Sequence, residues 1–289
     1  MGRVIAGIGR VMIGLGALVL AFVAYQLWGT GLSESHSQDV LRHQLSGRQS
    51  TRPATTSVPE GLPPVTGGRA PPSPPPEGSA VGIITIPKLG LDKAIVEGTG
   101  TADLRQGPGH YRGTPLPGQP GNASIAGHRT TYGAPFSRLN DLVPGDPVMV
   151  TTSQGTFRYD VSRSLVVEPS DVSVVAPTGT DELTLTTCTP RYSASHRLIV
   201  QASLVGPPTP TATVPAGPSR ATPTLAGDTG SSLPVVAWGL ATAAVAVGIW
   251  LATRLRRRRW LVYILGAPAF LAALFFLFAA ISRVLPASI

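Results

Sequence analysis

The sequence predicts an all-β domain carried between apolar segments, and three observations lead there. Between residues 81 and 205 short alternating apolar runs recur, each closed by Gly or Pro. No long helical periodicity interrupts them. On both flanks the chain turns polar and proline-rich, and beyond that it becomes uncharged and apolar for long stretches. Strands at this spacing, with turn signals between them, indicate a small β-barrel or sandwich.

Taken in order, residues 1–10 form a short amino-terminal segment containing Arg3 and Arg10, and residues 11–28 form the first uncharged run. A spanning helix needs about 20 apolar residues, with roughly 17 to 25 in practice. The run therefore reads as an anchor, and the aromatic "YQLWGTG" at its end suits a membrane interface. It reads as uncleaved, because no clear small-x-small cleavage site follows it. Residues 29–80 are polar and then proline-rich, ending in "RAPPSPPPEGS", which predicts an extended tether. The predicted strands are "GIITIPKLG" (82–90), "KAIVEG" (93–98), "NASIAGH" (122–128), "DPVMVTTSQGTFRYDVSRSLVVEP" (146–169, with a hairpin at "SQG"), "ELTLTTC" (182–188) and "HRLIVQASLV" (196–205). "FSRLNDL" (136–142) suits one short helix. A second tether covers residues 206–232, apolar spans cover 233–253 and 260–282, and residues 283–289 form a short tail.

Net charge is +8, which alone would invite a nucleic-acid reading. Its location removes that reading. Residues 81–205 contain ten basic and ten acidic side chains, so the folded part is neutral, and the basicity is concentrated in "RLRRRR" at 254–259. Arginines stay on the cytoplasmic side of a bilayer. Residues 1–10 and the 254–259 loop are thus expected inside, and residues 29–232 outside, in a multi-pass membrane protein.

The chain has one cysteine, Cys188, in "TLTTCTPRYSASHR". By strand parity Leu183 and Leu185 point to the core while Thr184, Thr186 and Cys188 share the other, polar face. In the following strand Leu198, Val200, Ala202 and Leu204 share the apolar face, leaving Arg197 and Gln201 opposite. If the two strands are neighbours, a guanidinium lies beside the thiol, and such a cation favours the reactive thiolate. A histidine can act as acid and base for such a nucleophile. His36 and His43 lie in the first tether. Of the others, His128 closes a strand, His110 sits in a glycine-rich turn, and His196 precedes Arg197.

"TLTTC" followed nine residues later by Arg197, with "AGHR" sixty residues upstream, resembles the sortases, bacterial cysteine transpeptidases. The likeness runs from "GIITIPKLG" through "GPGHYRGTPLPGQPGN", "IAGHRTTYGAPF" and "LVPGD" to "RLIVQASL". "HRTTYGAPF" and "CTPRYS" are most similar to the class E branch, found mainly in high-GC Gram-positive bacteria. The resemblance implies a closed β-barrel of about eight strands with short helices. It also implies that Cys188 is the nucleophile forming a thioacyl intermediate at a sorting-signal Thr, that His128 is the general acid and base, and that Arg197 binds substrate and stabilises the oxyanion. Tyr132 matches the position linked in class E to an LAxTG signal, and Thr130, Thr186 and Thr187 fall in the substrate-binding region. The implied partners are surface proteins with LAxTG-like or LPxTG-like signals, a cell-wall precursor peptide amine (lipid II) and membrane lipid. No metal or organic cofactor is implied.

Thr189 stands where many class E members have a histidine. The two carboxy-terminal spans also leave open a pilus-polymerising class C-like enzyme, although the first tether lacks that group's Asp-Pro-aromatic lid. A protease that mainly hydrolyses is a further alternative. A non-enzymatic surface scaffold fits less well, since Cys, His and Arg are all present. "LAGDTG" (225–230) has a sorting-signal layout with one residue too many, and reads as linker. Asn122 spells a glycosylation acceptor but reads as strand.

Overall fold

A computed structural model of the chain describes residues 2–50, 74–209, 233–255 and 259–284. It divides into two units, residues 30–223 with the barrel and residues 1–29 with 224–287.

Eight strands close the barrel: β1 Ala80–Ile86, β2 Leu91–Glu97, β3 Gly109–His110, β4 Asn122–Ala126, β5 Pro147–Thr152, β6 Gly155–Val167, β7 Glu182–Thr189 and β8 His196–Leu204. Their order around the wall is β1-β2-β3-β4-β7-β8-β6-β5, with β5 returning to β1. Two of the pairings are parallel, β2 with β3 and β4 with β7. The expected hairpin at "SQG" joins β5 to β6, and "FSRLNDL" supplies a single 3-10 turn at Leu139–Asp141. The interior is filled by branched aliphatic side chains that alternate along the strands, among them Ile84, Ile86, Ile125, Val148, Val150, Leu185 and Val200, all fully buried. At Gly82, next to a bulge in the β1–β2 pairing, β5 comes so close that a Cβ would sit 2.3 Å from the Thr151 carbonyl oxygen. Glycine is the residue that permits such an approach.

Four expectations need correction. The "GPGHYRGT" segment holds strand β3 as well as a turn, and His110 is buried there. Its Nδ1 lies 2.8 Å from Glu97 Oε2 and its Nε2 3.0 Å from the Pro115 carbonyl oxygen. This histidine ties β2, β3 and the following loop together. Secondly, the face of β7 carrying Thr184, Thr186 and Cys188 is not solvated: all three are buried. The turn Val172–Val175 covers the Thr184 end of that face. Asn122 Nδ2 donates to the carbonyls of Val174 and Ala176, and the Thr184 hydroxyl donates to Asn122 Oδ1 at 2.7 Å. Polar side chains can line a covered face when each finds a partner.

Thirdly, the barrel holds chain on both sides of residues 81–205. Gly78 N–H donates to Glu97 O at 2.8 Å, and Thr209 N–H to Gly118 O at 2.9 Å.

The fourth correction concerns the first tether. Residues 30–50 form a helix, α2 (Thr30–Ser50), packed on β1 and β2. Its buried stripe is Thr30, Glu34, Gln38 and Leu41, spaced as one helix face. Three of those four are polar, and each is bonded. Lys93 Nζ donates to both Glu34 oxygens at 2.8 Å. Gln38 accepts the Ala94 N–H at 2.7 Å and donates to the Ala94 and Gln106 carbonyls. Arg42 Nη2 donates to Asp92 O at 2.9 Å. Since β3 meets β2 only at Val96 and Glu97, side chains of α2 take the ladder bonds that a longer β3 would have taken. Leu41 packs with Ala80, Ala94 and Val96.

The second unit contains α1 (Gly2–Ala24), a π-turn at Tyr25–Gly29, α4 (Leu233–Leu255) and α5 (Arg259–Val284). A short α3 (Thr101–Leu104) belongs to the barrel unit. Three helical stretches, within Met12–Gly47, Leu233–Arg254 and Ile264–Ser282, are long and apolar enough to cross a membrane. Phe22 meets Phe278 edge-on at 5.1 Å and Trp238 stacks on Phe276 at 4.6 Å. Gly266 lets Ile249 approach to 2.7 Å of the place a Cβ would take, the small-residue contact common between apolar helices. The proline-rich part of the first tether at 51–73, most of the 206–232 linker including "LAGDTG", residues 256–258 and the tail at 285–289 lie outside the described residues.

Candidate active site

Register brings the chemistry to one end of the barrel. In the antiparallel β7–β8 pair Cys188 lies directly opposite Arg197, as parity anticipated. In the parallel β4–β7 pair Ala126 lies beside Thr186. The pairing continues one step further: Gly127 N–H donates to Thr186 O at 3.0 Å, and the Thr187 hydroxyl donates to Gly127 O at 2.7 Å. The next residues in that register are His128 and Cys188. Thiol, imidazole and guanidinium residues thus leave three adjacent strands side by side.

His128 is fully buried, and both its ring nitrogens lack a hydrogen-bond partner among the described residues. Burial first, and the nearby Arg105 charge second, lower its pKa to about 4. Its ring is tilted against that of Tyr132 with centroids 5.2 Å apart, and the Arg105 guanidinium stands 5.8 Å from the Tyr132 centroid. Cys188 is also buried, and burial pushes its thiol pKa up, partly offset by the positive charges of Arg197 and Arg129. Burial disfavours the charged form of either group, raising an acid and lowering a base.

Arg129 was not anticipated. It follows His128 directly, and its Nη1 donates to the Cys188 carbonyl at 3.0 Å while Nη2 donates to Asn140 Oδ1 at 2.9 Å. It therefore fixes the backbone of Cys188 and places a cation near the thiol. Tyr111 was also missed. Its hydroxyl lies 3.1 Å from Thr186 Oγ1 and feels both Arg197 and Cys188. Both residues sit beside singled-out histidines in sequence, which was the available signal. Of the anticipated threonines, Thr186 lies on the cysteine face with Tyr111. The Thr187 hydroxyl is occupied in joining β7 to β4. Thr130 is half-buried two residues after His128. Arg197 is partly exposed, with Nη1 donating to the carbonyls of Ala194 and His196. Its neighbour His196 faces elsewhere, 3.3 Å from Glu168.

Residues 84–205 match the family model described as the sortase domain. The barrel is a sortase domain. Sortase SrtE1 of Streptomyces coelicolor is 35% identical over 199 residues, which cover 63% of this chain and 52% of that protein. Sortase D of Bacillus subtilis is 38% identical over 117 residues, covering 40% of this chain and 58% of the relative. The matches thus span somewhat more than half the length of these curated relatives. Among solved structures, sortase E from Streptomyces avermitilis is 38% identical, with 49% of this chain and 98% of that one covered and a TM-score of 0.42.

Chemically, the sortase domain sets an ionisable thiol, a neutral buried imidazole and two guanidinium groups around one strand end. A buried imidazole of low pKa accepts a proton only when the resulting cation is compensated. A thiolate at Cys188, which follows in the same β4–β7 register as His128, would supply such compensation. Proton transfer between the two creates charge as a pair, and Arg197 adds a donor for any oxyanion formed beside the sulfur.

Proposed function

We propose that the protein is a membrane-anchored sortase that cleaves a carboxy-terminal LAxTG-like signal between Thr and Gly and transfers the protein to a cell-wall peptide amine. The observation that carries this reading is the shared register of β4, β7 and β8, which sets His128, Cys188 and Arg197 at one barrel end. The Cys188 proton passes to His128 as sulfur bonds to the Thr carbonyl carbon, and Arg197 donates to the oxygen that gains charge. The intermediate collapses by breaking the Thr–Gly bond, and His128 gives its proton to the departing amine. An incoming amine, supplied by lipid II, attacks the thioacyl group and loses a proton through His128, restoring the thiol. Tyr132, Thr130 and Thr186 line the substrate side, whereas Thr187 holds the strands. The catalytic domain works outside the cell, with the apolar helices as multi-pass anchors and surface proteins as clients.

The test incubates the full chain in detergent micelles with LAxTG and LPxTG peptides plus a glycine or diaminopimelate amine, read by mass spectrometry beside Cys188→Ala. Cysteine-dependent amine capture of LAxTG is the expected result. Hydrolysis without capture would mean a processing protease, and no cysteine-dependent product from either peptide would overturn the reading.

A further inference from the structure

The loop leaving β4 carries Tyr132 in a conformation that side chains disfavour. Tyr132, Gly133 and Ala134 have φ of 50°, 72° and 43° in succession, the left-handed region that residues with a Cβ rarely occupy. Such a run persists only where its surroundings over-determine it. Part of the restraint is internal: Ala134 N–H donates to Thr131 O at 2.9 Å and Phe136 N–H to His128 O at 3.1 Å. The rest comes from a helix about a hundred residues earlier in the chain. The Thr30 hydroxyl of α2 accepts the Tyr132 N–H at 3.1 Å, and Thr30 is itself buried. One turn on, the Glu34 carboxylate lies against Gly133, where a Cβ would fall 2.6 Å from Oε2. That carboxylate is held in turn by Lys93 of β2. The Tyr132 ring then rests on the His128 ring.

We propose that α2 is a positioning element of the substrate site, with Thr30 as its positioning residue: its hydroxyl, on a helix that the Glu34–Lys93 pair ties to β2, fixes the Tyr132 loop and the wall that loop offers to an extended peptide. The peptide part of this inference rests on the function proposed above, while the fixing of the loop does not. Thr30→Val keeps the shape and removes the acceptor; Thr30→Ser restores it. Glu34→Gln loosens the Lys93 pair and serves as a second variant if Thr30→Val folds poorly.

The experiment compares these full chains in detergent micelles by amide hydrogen exchange over residues 130–136, by KM and kcat for an LAxTG peptide, and by the rate of Cys188 alkylation. Losing one buried hydrogen bond predicts exchange at the Tyr132 amide about five- to tenfold faster in Thr30→Val and a KM about fivefold higher. Thr30→Ser should match wild type in both. Alkylation should be unchanged, a split that general loss of structure would not produce. Unaltered exchange in Thr30→Val and Glu34→Gln overturns the proposal, as does faster exchange with an unmoved KM. If wild type turns over no peptide, the functional reading fails by itself, and the exchange result still decides whether α2 fixes the loop.

Discussion

Burial keeps the thiol of Cys188 protonated and the imidazole of His128 neutral, so the resting site carries its positive charge on arginines alone. Alkylation of Cys188 by iodoacetamide should therefore keep accelerating past pH about 8.5, the ordinary thiol pKa. Arg129→Gln should shift that profile to still higher pH by removing a favourable charge, and a plateau below pH 8 in wild type would refute the assignment. His128 makes a second pH dependence. Its pKa is about 4 when folded and about 6.5 when unfolded. Between those values the unfolded chain binds a proton that the native state refuses, so stability is full above pH 6.5 and falls as pH drops toward 4. The loss should reach about 2 to 3 kcal/mol by pH 4.5. Denaturation midpoints at pH 7 and 4.5 should differ less in His128→Gln than in wild type. At this scale alternation along a strand is a local property, and it was enough to expect Cys188 and Arg197 side by side, as the β7–β8 register has them; among His110, His128 and His196 it did not choose, and the resemblance alone pointed to His128. The sequence did not disclose Arg129 or Tyr111, whose partners lie about 59 and 75 residues away.

Among the elements, seven of eight strands were legible from apolar alternation, and β3 was not, because two residues show no period. Helix α2 escaped for a different reason. A helix is found in sequence by an apolar stripe, and this one buries Thr30, Glu34 and Gln38 against matching polar groups of β2 and the Tyr132 loop. Its one fully buried large apolar side chain is Leu41, 1% exposed, with Leu45 partly buried beside it. Leu41→Ala should destabilise the α2 docking by about 2 to 3 kcal/mol, seen as lost exchange protection along residues 34–45 before the barrel strands open. Equal loss across both would mean that α2 and the barrel form one cooperative unit. The two-faced burial of β7 was likewise hidden, since a run of threonines looks solvated until Asn122, Tyr111 and Gly127 supply its partners.

For the whole molecule, the placement of arginines argues for a catalytic domain outside the membrane. Because Cys188 is the only cysteine, Cys188→Ala gives a thiol-free chain in which single cysteines report sidedness. Ser219→Cys should react with an impermeant maleimide on intact cells, and Arg256→Cys only after permeabilisation; the reverse pattern would invert the topology. The bonds that Gln38 and Arg42 make to Ala94 and Asp92 bear on how the molecule behaves in company. A barrel normally has no open edge, yet here one is stopped by side chains of a helix. A fragment cut at Val81 would bare those main-chain groups, and a neighbouring molecule could pair with them as an added strand. Such fragments should associate in sedimentation experiments while those beginning at Thr30 stay monomeric, so α2 also shields the barrel from self-adhesion with its own copies.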